Sequence, residues 1–278
     1  MDLTLVVMAA GLGSRFGGDK QLVSVGANGE VFFDYAIADA VGAGVTHVVL
    51  IVRRSFEPTV RQHIEDRYGD AFRLTTVCQD EFGPQRTKPW GTAHAVLAVA
   101  DAVHEPFLVV NADDYYGEKS YGVLAESLSE ASPNTALLAA FRLGNTLPRE
   151  GTVSRGICRV DGDRLTSLVE THGIGRTDDG GIVSTDPAGR HRDDTPVSMN
   201  MWGFAPRVFE DLKRCWDEFY EKHQHDAKTE FLLPTTVARL RDEGRLDVRV
   251  VHTDDEWIGV TNPDDLEPAR ARLHALRG

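Results

Sequence analysis

Two stretches of this chain carry the residue types and spacing that chemistry on phosphates needs. The first is Gly11-Leu12-Gly13-Ser14-Arg15-Phe16-Gly17-Gly18-Asp19-Lys20, which follows the apolar residues 5–10 directly. Glycines at 11, 13, 17 and 18 let backbone N–H groups come close to an anion, and Arg15 and Lys20 add fixed charge. Such a loop holds a polyphosphate; read alone, it is also a glycine-rich turn with two solvated basic residues. The second is Val109-Val110-Asn111-Ala112-Asp113-Asp114-Tyr115-Tyr116-Gly117, where acidic residues appear as an apolar run ends. An aspartate there holds Mg²⁺ against phosphate oxygens, since Mg²⁺ prefers one or two carboxylates plus substrate phosphates. The plainer reading is an Asp-rich turn capping the next helix.

Two familiar phosphate loops fail against the first stretch. A dinucleotide fingerprint needs a third glycine where Phe16 stands, and Arg53 and Arg54 end the next apolar run where it needs an acid. A Walker A loop needs Lys-Ser/Thr after the spacing from Gly13 to Gly18, but Asp19 follows. Gly-x-Gly-Ser-Arg-x-x-x-x-Lys after a first strand resembles the signature loop of the nucleotidyltransferase (sugar-nucleotide pyrophosphorylase) family. Asp113 matches that family's strand-end, metal-binding aspartate, and Asp114 is then a candidate to support it and to contact the acceptor.

The resemblance implies further site residues. Ala9, Ala10, Gly11, Gly13 and Ser14 would contact the nucleotide. Gln79, with Trp90, Gly91 and Thr92 opening a helix, would read base and ribose. Gly91 would let the base lie on bare backbone, and Gln79 offers the donor and acceptor that a uracil or thymine edge requires. His94 is as readily a packed helix residue as a contact. Glu170-Thr171-His172 stands where the family often has Glu-Lys-Pro, so Glu170 would bind sugar hydroxyls while the lysine is missing. Asn200 resembles an acceptor-binding asparagine. Lys228, read as opening a helix, is a basic side chain that would replace the missing phosphate contact. For each of these later residues a cap, a turn or a surface ion pair competes. In Trp257-Ile258-Gly259, glycine occupies the family's second metal-binding position, which leaves either one carboxylate or a neighbour such as Asp254, Asp255 or Asn262.

Positioning these residues calls for an α/β frame. Residues 3–9, 47–52, 74–77, 107–110 and 136–141 read as strands, and 32–41, 57–68, 91–103 and 124–129 as helical. Such alternation, with continuously apolar strands, predicts a mostly parallel sheet covered on both faces, with ligands beyond the carboxyl ends of its strands. Residues 152–160, 164–170 and 197–204 read as strands and 173–195 as a long exposed loop. Residues 206–223, 231–240 and 264–276 read as helices, and 246–251 as a strand. The expectation is a single Rossmann-like, three-layer α/β domain over 1–278. Residues 1–145 form its nucleotide-binding half and 146–278 its acceptor-binding half, with a small β-rich insertion.

Composition narrows the partners. The 278 residues carry a formal net charge of −13, which argues against general affinity for nucleic acid or anionic membrane. A phosphate ligand then needs a local positive site. Cys78, Cys158 and Cys215 lie far apart with no Cys-x-x-Cys pair, supporting neither a disulfide framework nor a zinc site. No signal peptide or spanning stretch is read, so the expected location is the cytoplasm, and a homo-oligomer is compatible.

The resemblance implies an NTP and a phosphorylated acceptor, most often a sugar 1-phosphate, reacting in line at the α-phosphorus with Mg²⁺ or Mn²⁺. Arg15 would stabilise the leaving pyrophosphate, Lys20 would hold the reacting phosphates together, and Asp113 would hold the metal. A cytidylyltransferase for a polyol phosphate, amino-alcohol phosphate or phosphonate stays open, as does a non-catalytic nucleotide sensor. The displaced third glycine counts against an NAD-dependent oxidoreductase.

Overall fold

The structure, a computed structural model, describes residues 2–11, 20–148, 150–260 and 263–278, with Lys20 described by its backbone alone. Gly13, Ser14, Arg15, Gly17, Gly18 and Asn262 lie outside the described residues.

In chain order the strands are β1 (Thr4–Met8), β2 (His47–Val52), β3 (Arg73–Cys78), β4 (Phe107–Asn111), β5 (Asp114–Tyr115), β6 (Thr135–Arg142) and β7 (Val153–Asp161). They continue with β8 (Arg164–Arg176), β9 (Ile182–Thr185), β10 (Ala188–His191), β11 (Pro196–Phe204), β12 (Asp247–Thr253) and β13 (Ile258–Gly259). The helices are α1 (Phe32–Gly42), α2 (Glu57–Tyr68), α3 (Thr92–Leu97), α4 (Glu118–Glu130), α5 (Val208–His223), α6 (Leu233–Asp242) and α7 (Leu266–Arg277).

One sheet runs in the order β10-β9-β8-β12-β6-β11-β4-β1-β2-β3, with β7 paired to β8 and β11. Successive side chains of a strand point to opposite faces, so an all-apolar strand needs cover on both. Leu5, Val7, Leu50 and Val110 join Phe33, Val60 and Leu124 of α1, α2 and α4 in one core. Val6, Val49, Ile51 and Val109 join Ala93, Leu212 and Val237 of α3, α5 and α6 in the other. The outcome is three layers.

The sheet itself is mixed, which corrects the expectation of a mostly parallel one. Parallel pairing holds within β3-β2-β1-β4 and between β6 and β12. The return strand β11 runs antiparallel between β4 and β6, and β7 to β10 pair antiparallel. The segment read as a long exposed loop, 173–195, is instead the end of β8 and the β9–β10 hairpin. Its strands are four residues each, β9 only half-buried and β10 largely exposed, so they lack the apolar run that marks a buried strand. The helix expected over 91–103 is regular only from Thr92 to Leu97.

Cys78, Cys158 and Cys215 are free thiols. No helix among the described residues is long and apolar enough to cross a membrane.

Candidate active site

The two motifs leave the sheet side by side. Met8, the last residue of β1, is in parallel register with Asn111, the last of β4, and the Ala112 N–H donates to the Met8 carbonyl at 3.2 Å. Ala9 and Ala10 are buried at that strand end, with the Ala9 N–H bonded to the Ile51 carbonyl. Gly11 is exposed on the rim, and its carbonyl accepts from Gln21 Nε2 at 2.9 Å. That rim opens into a cleft of about 920 Å³. Gly11, Gln21, Asn111, Asp113 and Asp114 line it, as do Ser154, Arg155, Glu170, Asn200 and Trp257.

A chain of hydrogen bonds fixes the acidic corner. Asp114 is buried, and its Oδ2 accepts from Asn111 Nδ2 at 2.7 Å and from the Tyr116 hydroxyl at 3.2 Å. Tyr116 accepts from the Asn111 N–H and also lies 3.2 Å from the Met199 carbonyl. Burial, then the charge of Asp114, pushes the Tyr116 phenol well above its ordinary pKa, so it stays a neutral donor. Asn111 Oδ1 accepts from Asn200 Nδ2, and Asn200 Oδ1 accepts from Trp202 Nε1, both at 2.9 Å. Asn200 has φ of 64° where the β11–β6 register shifts, a conformation asparagine tolerates better than most residues. The bulge therefore turns its amide toward β4.

Gly259 pairs with Asp114 in the small β5–β13 ladder. A Cβ at Gly259 would lie 2.2 Å from Trp257 Cη2 and 2.8 Å from Asp114 Oδ1, so the indole occupies the room an acidic side chain would need. Of the proposed substitutes, Asp255 accepts from the Ser120 N–H at the start of α4, and Asp254 pairs with Arg142 at the surface. Neither lines the cleft. Among the described residues no group of three or more His, Cys, Asp or Glu side chains is placed to hold a metal. The donor set still fits a hard cation shared with substrate phosphates, because Mg²⁺ is satisfied by one or two protein carboxylates, water and phosphate oxygens. Asp113, partly exposed on the cleft wall, is the side chain placed for that.

The structure does not bring the base-reading group into the cleft wall. Gln79 is buried and donates to the Gly91 carbonyl at 3.1 Å. Trp90 is buried against Trp216, under the guanidinium of Arg86. Gly91, with φ of 117°, has Phe231 backbone atoms 2.5 Å from where a Cβ would sit. Thr92 accepts from the Leu233 N–H. Trp90, Gly91 and Thr92 meet the segment entering α6, the Trp90 carbonyl accepting from the Phe231 N–H, while Gln79 braces the start of α3. His94 is buried between Phe82 and Trp216, the packed reading. Lys228 does not open a helix: it is exposed in the loop before α6 and outside the cleft wall.

Gln21, Asn111 and Arg155 are among the cleft residues that escaped the sequence reading. Gln21 had a usable signal, its place directly after Lys20. Asn111 stood in the quoted motif without a role. Arg155 had no signal beyond being a basic residue in a strand.

The MobA-like NTP transferase domain model matches residues 5–151 of this chain. No curated protein matches it in sequence. Among solved structures it is similar to a Bacillus anthracis protein described as a glucose-1-phosphate thymidylyltransferase, solved with sucrose. The TM-score is 0.65 at 13% identity, over 97% of this chain and 94% of that one. It is also similar to the inositol-1-phosphate CTP transferase of T. maritima, with a TM-score of 0.64 at 14% identity over 97% and 95% of the two chains. At such identities the likeness establishes the fold.

Proposed function

The chain belongs to the family of MobA-like NTP transferase domains and is a nucleotidyltransferase, and from that premise we propose that it transfers a nucleotidyl group from an NTP to a phosphorylated small molecule, a sugar 1-phosphate first, with release of pyrophosphate. The observation that carries this reading is the register of Met8 with Asn111, which sets the start of the glycine loop beside Asp113 on one cleft.

An acceptor phosphate oxygen attacks the α-phosphorus and pyrophosphate leaves opposite. A phosphate is ionised at neutral pH, so neither a strong base nor a side-chain nucleophile is required, and catalysis is positioning and charge stabilisation. Lys20 draws the attacking and α-phosphates together, and Arg15 takes charge developing on pyrophosphate. Asp113 would hold Mg²⁺, which supplies neutralisation of phosphate charge. Asp114 is held by Asn111 and Tyr116 and shapes the floor beside it. Glu170, and Asn200 beside Asn111, line the cleft and offer hydrogen bonds to acceptor hydroxyls.

A cytidylyltransferase for a polyol phosphate is the second reading. It is favoured by Thr171 in place of the usual lysine, and by the likeness to a fold neighbour named for inositol 1-phosphate and CTP. One panel separates the two: pyrophosphate release with Mg²⁺ across four NTPs and a set of sugar and polyol phosphates. Release dependent on one NTP and one acceptor class is the expected result. Release with no pair would sink the transfer reading.

A further inference from the structure

We propose that Arg155 is the cation that receives the acceptor's phosphate monoester, taking over from β7 the task that a lysine at position 171 of β8 would perform. The inference rests on the nucleotidyl-transfer reading and adds to it the residue that selects a phosphorylated acceptor. Thr171 brings no charge, and Lys228 stands exposed away from the cleft. Among the described residues that line the cleft, Arg155 is the only basic one.

Its placement suits the task. Arg155 and Thr171 are partners in the antiparallel β7–β8 ladder. Directly opposed residues share a face, with Cβ atoms about 5 Å apart, so the charge has moved one strand sideways without leaving the neighbourhood. The guanidinium is aimed by neutral groups alone. Nε donates to Thr146 Oγ1 at 3.1 Å, Nη1 to the Ser154 carbonyl at 2.9 Å, and Nη2 to the Thr146 carbonyl. Its plane lies over the Trp257 ring, 4.7 Å from the centroid. A guanidinium has five N–H donors, and both terminal nitrogens keep one to spare.

What is missing is an anion. Arg155 is only 9% exposed, yet no carboxylate among the described residues forms an ion pair with it. Burial lowers its pKa to about 10, while Asp114 and Glu170 act on it from a distance in the opposite sense. A buried charge without a partner is costly. A phosphate presents oxygens at the spacing of the guanidinium fork, where a lysine would act as a point charge. Asp114 is committed to Asn111 and Tyr116, and Glu170 faces the hydroxyls such a ligand carries.

The test uses the full chain as Arg155→Met and Arg155→Lys. Glucose 1-phosphate or myo-inositol 1-phosphate serves as acceptor, whichever the wild type turns over. Arg155→Met is expected to raise the acceptor KM roughly 10- to 100-fold, the scale of a lost charge-assisted hydrogen bond, with the NTP KM within about 2-fold. Arg155→Lys recovers part of the loss. An unchanged acceptor KM, or a rise confined to the NTP, overturns the proposal while transfer itself stands. A second readout is independent of turnover: inorganic phosphate, at ionic strength matched with chloride, should raise the Tm of the wild type more than that of either variant. Equal shifts overturn the proposal whether or not either acceptor is turned over, and transfer itself is decided separately by the wider panel of NTPs and acceptors. If Arg155→Met does not fold, Arg155→Lys decides by the same two measurements.

Discussion

The first half of this molecule, proposed to bind the nucleotide, and the second half, proposed to bind the acceptor, present residues to the cleft by different rules. In β3-β2-β1-β4 every strand is parallel, and functional residues sit where a strand stops, so Gly11 and Asp113 need only their own strand ends to meet. Beyond β4 the pairing is antiparallel except between β6 and β12, and the cleft is lined by side chains standing mid-strand or in a loop: Arg155, Glu170, Asn200, Trp257. A strand end is announced by local sequence. A mid-strand side chain acquires meaning only when the register is known.

The contrast predicts where substitutions cost most. Lys20→Ala and Asp113→Ala should each lower turnover by at least ~100-fold, the scale of removing a charge stabiliser, with little change in Tm. Pyrophosphate release close to the wild-type rate in either variant would detach the strand-end motifs from the chemistry.

The two halves also lean on each other, and pH should reveal it. His94 of α3 packs 4.6 Å from the Trp216 ring of α5. Burial, then the charge of Arg86, lowers its pKa from 6.5 to about 4. The unfolded chain therefore binds a proton from about pH 6.5 downward that the folded chain refuses until about pH 4. The stability in question is whole above pH 6.5 and is lost as pH falls toward 4, by roughly 3 kcal/mol. Urea midpoints at pH 7 and 4.5 should fall further in the wild type than in His94→Gln; equal falls would remove His94 from the account.

Gly259 tests the acidic corner where the halves join. An alanine there would have to displace the Trp257 ring, at a cost of about 1–3 kcal/mol. Gly259→Asp should be destabilised at least as much by urea unfolding and should gain no tighter Mg²⁺ requirement. A stable Gly259→Asp enzyme saturating at lower Mg²⁺ would show that the indole does not exclude a second metal ligand.

How much of this was legible follows the same line. Four strands of the first half, β1, β2, β4 and β6, were readable because they are buried on both faces and so largely apolar; β3, only partly buried, was read from its place in the alternation with helices. The antiparallel return of β11 was not, since strand direction leaves no mark on composition. The β9–β10 hairpin was missed because its exposed residues need not be apolar. Asp113 and Glu170 were found by motif, and both line the cleft. Arg155 could not be found, because its importance lies in being opposite Thr171 and over Trp257, facts of register and packing.

The smallest expected effect is the sharpest comparison within the second half of the chain. Lys228 and Arg155 are both basic residues offered to the same missing phosphate contact. Lys228 is exposed, its N–H turned back to Asp226 Oδ1 and its carbonyl accepting from Lys88 Nζ, so its backbone braces a loop while its side chain lies outside the cleft wall. Surface substitutions away from such features change free energies by about 0.5 kcal/mol or less. Lys228→Ala should therefore shift the acceptor KM by no more than about 2-fold, where Arg155→Met shifts it by an order of magnitude or more. Steady-state kinetics on the two variants side by side checks this. A large rise for Lys228→Ala would mean that the loop before α6 folds over the bound acceptor, and that the phosphate is held from that side.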